Sequence, residues 1–129
     1  MAQITLKNLA HSYLAQPKAE ADYALKEMDH VWQNGGAYAL LGSSGCGKTT
    51  LLNIISGLLR PSQGRVLFGD QDVTEAETTA RNIAQVFQFP VVYDTMTVRE
   101  NLAFPLRNRG MDAAYIKARV GQILSLIHI

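Results

Sequence analysis

Along the chain the hydrophobic pattern switches between the period of a strand and the period of a helix. Ile4, Leu6 and Leu9 predict a half-buried opening strand, and the polar, Ala-rich stretch from Gln16 to Asp22 reads as a surface loop. Tyr23 to Trp32 predicts a second strand that stops at the turn signal Asn34-Gly35-Gly36. Ala37-Tyr38-Ala39-Leu40-Leu41 is a continuous apolar run, the pattern of a strand buried on both faces. From Lys48 to Leu59 the spacing becomes helical through Leu51, Leu52, Ile54, Ile55, Leu58 and Leu59, and Arg60-Pro61-Ser62-Gln63-Gly64 ends it. Arg65 to Phe68 and Ile83 to Phe87 are further predicted strands, with the polar stretch Asp70 to Arg81 between them. Thr97-Val98-Arg99-Glu100 has the Thr-x-x-Glu form of a capping box and predicts a short helix ending before Pro105. Asp112 to Ile123 predicts one more helix. The order strand, glycine-rich loop, helix, strand implies an α/β domain with a mostly parallel sheet.

Composition narrows the classes. The chain has 129 residues, enough for one domain, and its 47% hydrophobic and 18% charged content excludes a disordered polypeptide. Twelve Lys and Arg against 11 Asp and Glu give a net charge of +1, without the basic excess of a dedicated nucleic-acid binder. The single cysteine, Cys46, excludes an internal disulfide framework. Met1 to Ala10 lacks the pattern of a signal peptide, and no window approaches the roughly 18 apolar residues of a membrane span, so a membrane role is expected to come through a partner. His11 and His30 have no neighbours at metal-ligand spacing and read as surface residues.

The chemistry is concentrated in Gly42-Ser43-Ser44-Gly45-Cys46-Gly47-Lys48-Thr49-Thr50. Gly42, four residues and then Gly47-Lys48-Thr49 is the phosphate-binding loop pattern, flanked as it should be by an apolar strand signal and an amphipathic helix signal. Glycines let the backbone N–H groups from about Gly45 to Thr50 turn inward as a nest for phosphate oxygens. The helix that follows adds its N-terminal partial charge. The pattern places Lys48 toward β- and γ-phosphates, the Thr49 hydroxyl on Mg²⁺ and Thr50 near the α-phosphate. Cys46 fills space inside the loop, and thiol alkylation there is expected to compete with nucleotide.

The loop with Leu51-Leu52 behind it, Gly57-Leu58-Leu59-Arg60-Pro61-Ser62-Gln63-Gly64, Val86-Phe87-Gln88 and Met96-Thr97-Val98-Arg99-Glu100-Asn101-Leu102 together resemble the ATP-binding subunits of ABC transporters. The resemblance covers nearly the whole chain. It implies a P-loop NTPase fold of class α/β, a RecA-like core with N-terminal antiparallel strands, truncated in the helical subdomain. On this reading residues 1–94 form the core subdomain and 95–123 the start of the helical subdomain. The implied cofactors are ATP and Mg²⁺. Tyr13 in His11-Ser12-Tyr13 matches the aromatic that stacks on adenine, with Tyr23 as its rival, and Gln88 matches the glutamine that touches Mg²⁺ or the attacking water. Lys48 and Gln88 are thus the catalytic candidates and Thr49 and Gln88 the metal ligands. Phe89, Pro90, Val91, Val92 and Tyr93 either form the surface that receives a permease or pack beneath the helical subdomain.

Within the family, Asn101 to Arg107 is similar to the sugar and polyol importers. His11-Ser12-Tyr13-Leu14, Asp29-His30-Val31-Trp32 and Gln85 to Asp94 are similar to the ATPases of bacterial glycerol uptake systems. Ser43 stands where proline is common there. The implied partners are transmembrane permease subunits, a second ATP-binding subunit and, indirectly, a solute-binding protein, at the cytoplasmic face of the inner membrane; nucleic acid is not among them. The alternative is a soluble ABC-type ATPase or nucleotide-binding module without a transporter. The family's Leu-Ser-Gly-Gly-Gln signature, Asp-Glu strand end and switch histidine do not occur between Gln88 and Ile129, so this stretch alone is not expected to hydrolyse ATP efficiently. Leu124-Ser125-Leu126-Ile127-His128-Ile129 resembles the translation of a transposase adapter used in library preparation and is set apart from the functional reading.

Overall fold

The computed structural model describes residues 3–126. The chain divides after Gln85 into two compact units, ahead of the 94/95 boundary drawn from sequence.

In the first unit, β1 (Ile4–His11), β2 (Leu25–Trp32), β3 (Gln63–Phe68) and the short β4 (Gln71–Asp72) form an antiparallel sheet in the order β2-β1-β3-β4. Helix α1 (Lys48–Ser56) completes the unit's core. Leu6 and Leu9 of β1, Leu25 of β2, Val66 of β3, Leu51 and Ile54 of α1 and Val73 are packed together out of water. Leu6 and Leu9 are three residues apart, so strict alternation would put them on opposite faces. A bulge between them restores the match: the register with β2 and β3 shifts there, and Asn8 takes a positive φ of 48°. Asn8 is held by its N–H on Asp29 Oδ1 at 2.8 Å and its side-chain amide on Glu27 Oε1 at 3.1 Å. On the other side Gly64, φ +82°, lets the backbone of β3 come close to the Lys7 and Asn8 carbonyls.

Two predicted strands are absent from the described residues, and with them the parallel sheet. Residues 37–41 run without a ladder, Leu41 88% exposed, and residues 83–87 are likewise irregular. A strand buried on both faces is stable only with hydrogen-bonded neighbours beside it, and none of the described strands pairs with either run. Helix α1 also stops earlier than Leu59. Gly57 takes the left-handed conformation with φ 82° and donates to Ile54 O at 3.1 Å, so a glycine cap, not the later proline, ends the helix.

The second unit holds α2 (Val98–Asn108) and α3 (Ala113–Leu126), packed through Ala103, Val120 and Leu124 with Leu102, Leu106 and Ile116 around them. The predicted stop before Pro105 is overridden, and α2 continues to Asn108. Pro105 is exposed, so water can serve the carbonyl its ring leaves unpaired, and packing on α3 supplies what the lost helical bond does not. Leu124 to Leu126 continue α3, while residues 127–129 of the proposed tail lie outside the described residues.

The capping box at Thr97 forms as the sequence predicts. Glu100 N–H donates to Thr97 Oγ1 at 3.2 Å, and the Thr97 N–H and hydroxyl each donate to Glu100 Oε2 at 2.8 Å. The Thr97 N–H, and then its hydroxyl, hold the Glu100 carboxyl below the usual carboxylate range. The box therefore contributes stability above the ordinary carboxylate pKa and loses it as pH falls through the lowered value. Thr97→Ala is expected to cost about 1 kcal/mol in helix stability and to flatten the acid limb of a helicity-against-pH curve. An acid limb unchanged by the substitution would show that the box does not govern it.

Candidate functional site

The loop between residue 42 and α1 is shaped by its glycines. Gly45 has φ +80° and Gly47 φ +90°, and the Cys46 N–H donates to Ser43 O at 3.4 Å to close the turn. A side chain at Gly47 would strike the carbonyl of Ala24, so the loop is seated directly on the start of β2. A side chain at Gly42 would strike Cys46 Sγ.

The first helical hydrogen bond of α1 is Leu51 N–H to Gly47 O at 2.9 Å. The N–H groups of Lys48, Thr49 and Thr50 lie ahead of it and have no partner within the helix. Gly47 at the N-cap carries no side chain to take them. An uncapped helix end under a positive-φ loop is a set of donors waiting for an anion.

Lys48 spans the loop. Its ammonium donates to the carbonyls of Gly42 at 2.8 Å and Ser43 at 2.6 Å, and approaches Cys46 Sγ at 3.5 Å. The charge is thus held at the loop and not free in solvent. Thr49 is exposed, and its hydroxyl makes no hydrogen bond among the described residues. Thr50 is buried, and its Oγ1 shares a hydrogen bond of 3.1 Å with the Tyr13 hydroxyl. Tyr13, Ala24, Ser44, Gly45, Gly47, Lys48, Thr49 and Thr50 line one recess of about 360 Å³.

Of the two tyrosine candidates the structure brings Tyr13 to the loop. Tyr23 accepts from Gln63 Nε2 at 3.3 Å and lines a different recess, with Glu20 and Lys26. Gln88 lies in the second unit, exposed, at a bend. The residues after it are also exposed, Phe89 at 76% and Val91 at 72%. The loop around them is held from within: Asn101 of α2 accepts from Tyr93 N–H at 2.8 Å and donates to the carbonyls of Tyr93, Met96 and Thr97. Tyr93 also packs on Phe104, with ring centroids 4.7 Å apart.

Three contributors escape sequence reasoning. Ala24 meets the loop through its backbone, which no residue pattern reveals. Arg81 reads as part of a polar connection, yet it is buried, and its guanidinium donates to the carbonyls of Ile54, Ile55, Thr74 and Ala76 at 2.9–3.0 Å. It caps the far end of α1, the helix whose near end carries the glycine-rich loop. Burial pushes its pKa down, opposed by the charge of Glu75. His11, expected at the surface, is buried with only 6% exposed, because the end of β1 is covered by the turn carrying Ser62.

A glycine-rich loop on an uncapped helix, with a lysine folded over it, has the build of a P-loop NTPase. A family model described as ABC transporter matches residues 25–129, and the chain belongs to that family. It is 40% identical, over 98% of its length, to the sulfate/thiosulfate import ATP-binding protein CysA of Thermosynechococcus vestitus, and covers 36% of that protein. It is 39% identical over its full length to the sn-glycerol-3-phosphate import ATP-binding protein UgpC 3 of Rhizobium johnstonii, covering 35% of it. To the spermidine/putrescine import ATP-binding protein PotA of Protochlamydia amoebophila it is 42% identical over 82% of the chain, covering 28% of that protein. The chain thus spans about a third of the length of these curated relatives. Among solved structures it resembles the dimeric ATP-binding cassette MJ0796 in a post-hydrolysis state bound to ADP and Pi, with a TM-score of 0.80 and 27% identity over 98% of this chain and 57% of that one.

Proposed function

We propose that this chain is the phosphate-gripping part of the ATP-binding subunit of an import ABC transporter. The observation that carries the reading is the uncapped start of α1 beneath Gly45 and Gly47, with Lys48 across the loop and Tyr13 tied to Thr50 beside it. The N–H groups from Gly45 to Thr50 would receive the phosphates of ATP, and Lys48 would offset their charge. Gly42, Ser43, Ser44 and Cys46 shape the loop. Tyr13 would stack on adenine, and Thr49 would hold Mg²⁺, which when bound offsets charge on the phosphate oxygens; Gln88 is proposed as a Mg²⁺ ligand on the sequence resemblance alone.

Hydrolysis coupled to import is proposed for the whole subunit, of which this chain corresponds to about a third by the length of its relatives. The exposed apolar residues Phe89 to Tyr93 suit a permease surface, and the subunit would act at the cytoplasmic face of a bacterial plasma membrane. No helix among the described residues is long and apolar enough to cross a membrane. A second ATP-binding subunit is proposed because the similar cassette is dimeric, and a solute-binding protein would act indirectly. For the solute, a sugar, polyol or glycerol-type molecule is the finer proposal, and the match of this whole chain to the sn-glycerol-3-phosphate relative supports its glycerol-type member. The sulfate/thiosulfate and spermidine/putrescine relatives support the broader reading of a small polar or charged solute.

Titration of the purified chain with Mg-ATP tests the reading. Saturable binding is expected, with Lys48→Ala weaker by about 10- to 30-fold, the worth of a charge-assisted contact of ~1.5–2 kcal/mol. Equal affinity of the two proteins would overturn it.

A further inference from the structure

His11, the last residue of β1, Ser12 after it and Ser62 form a closed arrangement that the phosphate chemistry leaves unused. Ser62 Oγ accepts from Ser12 N–H at 3.1 Å, donates to Ser12 O at 3.1 Å and lies 3.3 Å from His11 Nδ1. Its one proton is used on Ser12 O, so His11 carries its proton on Nδ1 and donates to Ser62. That leaves Nε2 a bare lone pair, sealed from solvent with no protein partner among the described residues. Protonating it would bury a charged N–H with nothing to accept it, and burial accordingly holds the His11 pKa below its ordinary value. The imidazole is held in one orientation beside Ser62.

Against it stands Tyr13. The two rings are nearly perpendicular, at 86°, with centroids 4.7 Å apart, the favourable edge-to-face geometry. The Tyr13 hydroxyl is held at its far end by Thr50. Perpendicular packing leaves a ring face uncovered, and Tyr13 remains 66% exposed in the loop recess.

We propose that His11 is a positioning residue for base recognition: clamped by Ser62 and packed against Tyr13, it sets the plane of that ring so that a face is presented to a nucleobase beside the phosphate loop. The proposal rests on the nucleotide reading above and adds a residue outside the loop motif. Stacking of a base on an aromatic ring depends on its plane, whereas gripping of phosphates by N–H groups does not. The effect of His11 is therefore confined to ligands that carry a base.

Binding of Mg-ATP and of inorganic tripolyphosphate to the 129-residue chain separates the two. His11→Ala is expected to weaken ATP by roughly 2- to 10-fold, the worth of an edge-to-face contact, and to leave tripolyphosphate unchanged. His11→Phe keeps the buried aromatic, and Ser62 keeps both hydrogen bonds to Ser12, so the ATP-to-tripolyphosphate ratio is expected to return to that of the unmodified chain. Equal loss of both ligands in His11→Ala, including loss through misfolding, would overturn the proposal, as would undiminished ATP affinity or a phenylalanine that does not rescue. An unmodified chain that binds neither ligand would overturn the nucleotide reading itself.

Discussion

Replacing Gly47 with alanine is expected to weaken Mg-ATP binding by more than 100-fold. Two costs act together. The backbone at φ +90° lies in the left-handed region, where a Cβ costs about 1–2 kcal/mol. The added methyl would also strike the backbone carbonyl of Ala24, the residue just before β2, which cannot rotate aside as a side chain could. The loop must lift from β2, and the N–H groups of Lys48, Thr49 and Thr50 lose their common direction. Gly45→Ala is the internal control. Its φ of +80° is nearly the same, but nothing lies within 4 Å of its Cβ, so only the conformational cost remains and a loss of about 5- to 30-fold is expected. Calorimetric titration of both variants checks this. Equal losses would show that the contact with Ala24 contributes nothing.

Arg81→Leu is expected to destabilise the first unit by about 2–4 kcal/mol, lowering the melting temperature by roughly 10–30 °C. The guanidinium joins the carbonyls of Ile54 and Ile55, at the end of α1, to those of Thr74 and Ala76 in the following connection. Leucine would remove all four of these hydrogen bonds from a buried or half-buried place, leaving Ile54 O with the Gly57 N–H alone. Arg81→Lys tests whether charge or shape matters, because one ammonium cannot span carbonyls that the planar fork reaches together. The lysine variant is expected to recover less than half of the loss. Thermal unfolding followed by circular dichroism reads both variants, and a leucine variant as stable as the original would remove Arg81 from the account of how α1 is anchored.

Sequence and structure agree where a short segment carries its own instructions. The shape of the glycine-rich loop is legible because glycines at 42, 45 and 47 followed by Lys48-Thr49 encode a backbone turn and a helix start within a few residues. The capping box at Thr97 and Glu100 is legible for the same reason, since each side chain bonds the other's backbone three residues away. Pro105 shows the limit of local rules: its position forbids one hydrogen bond, but Leu102, Ala103 and Leu106 packed on α3 outweigh that loss. The strands expected at 37–41 and 83–87 show another limit. An apolar run states that a segment seeks neighbours on both sides, not that the described residues contain them.

By itself the sequence determined the groups of the candidate site: which backbone donors are freed, which cation lies beside them and which hydroxyls follow, all fixed by spacing along one turn. Only the tertiary structure decided what holds that site in place. It chose Tyr13 over Tyr23, buried His11 beneath it, seated Gly47 on the carbonyl of Ala24 and drew Arg81 inward to the end of α1. These choices depend on backbone carbonyls and on residues distant in the chain, and a carbonyl looks the same in every residue until the fold brings a partner to it.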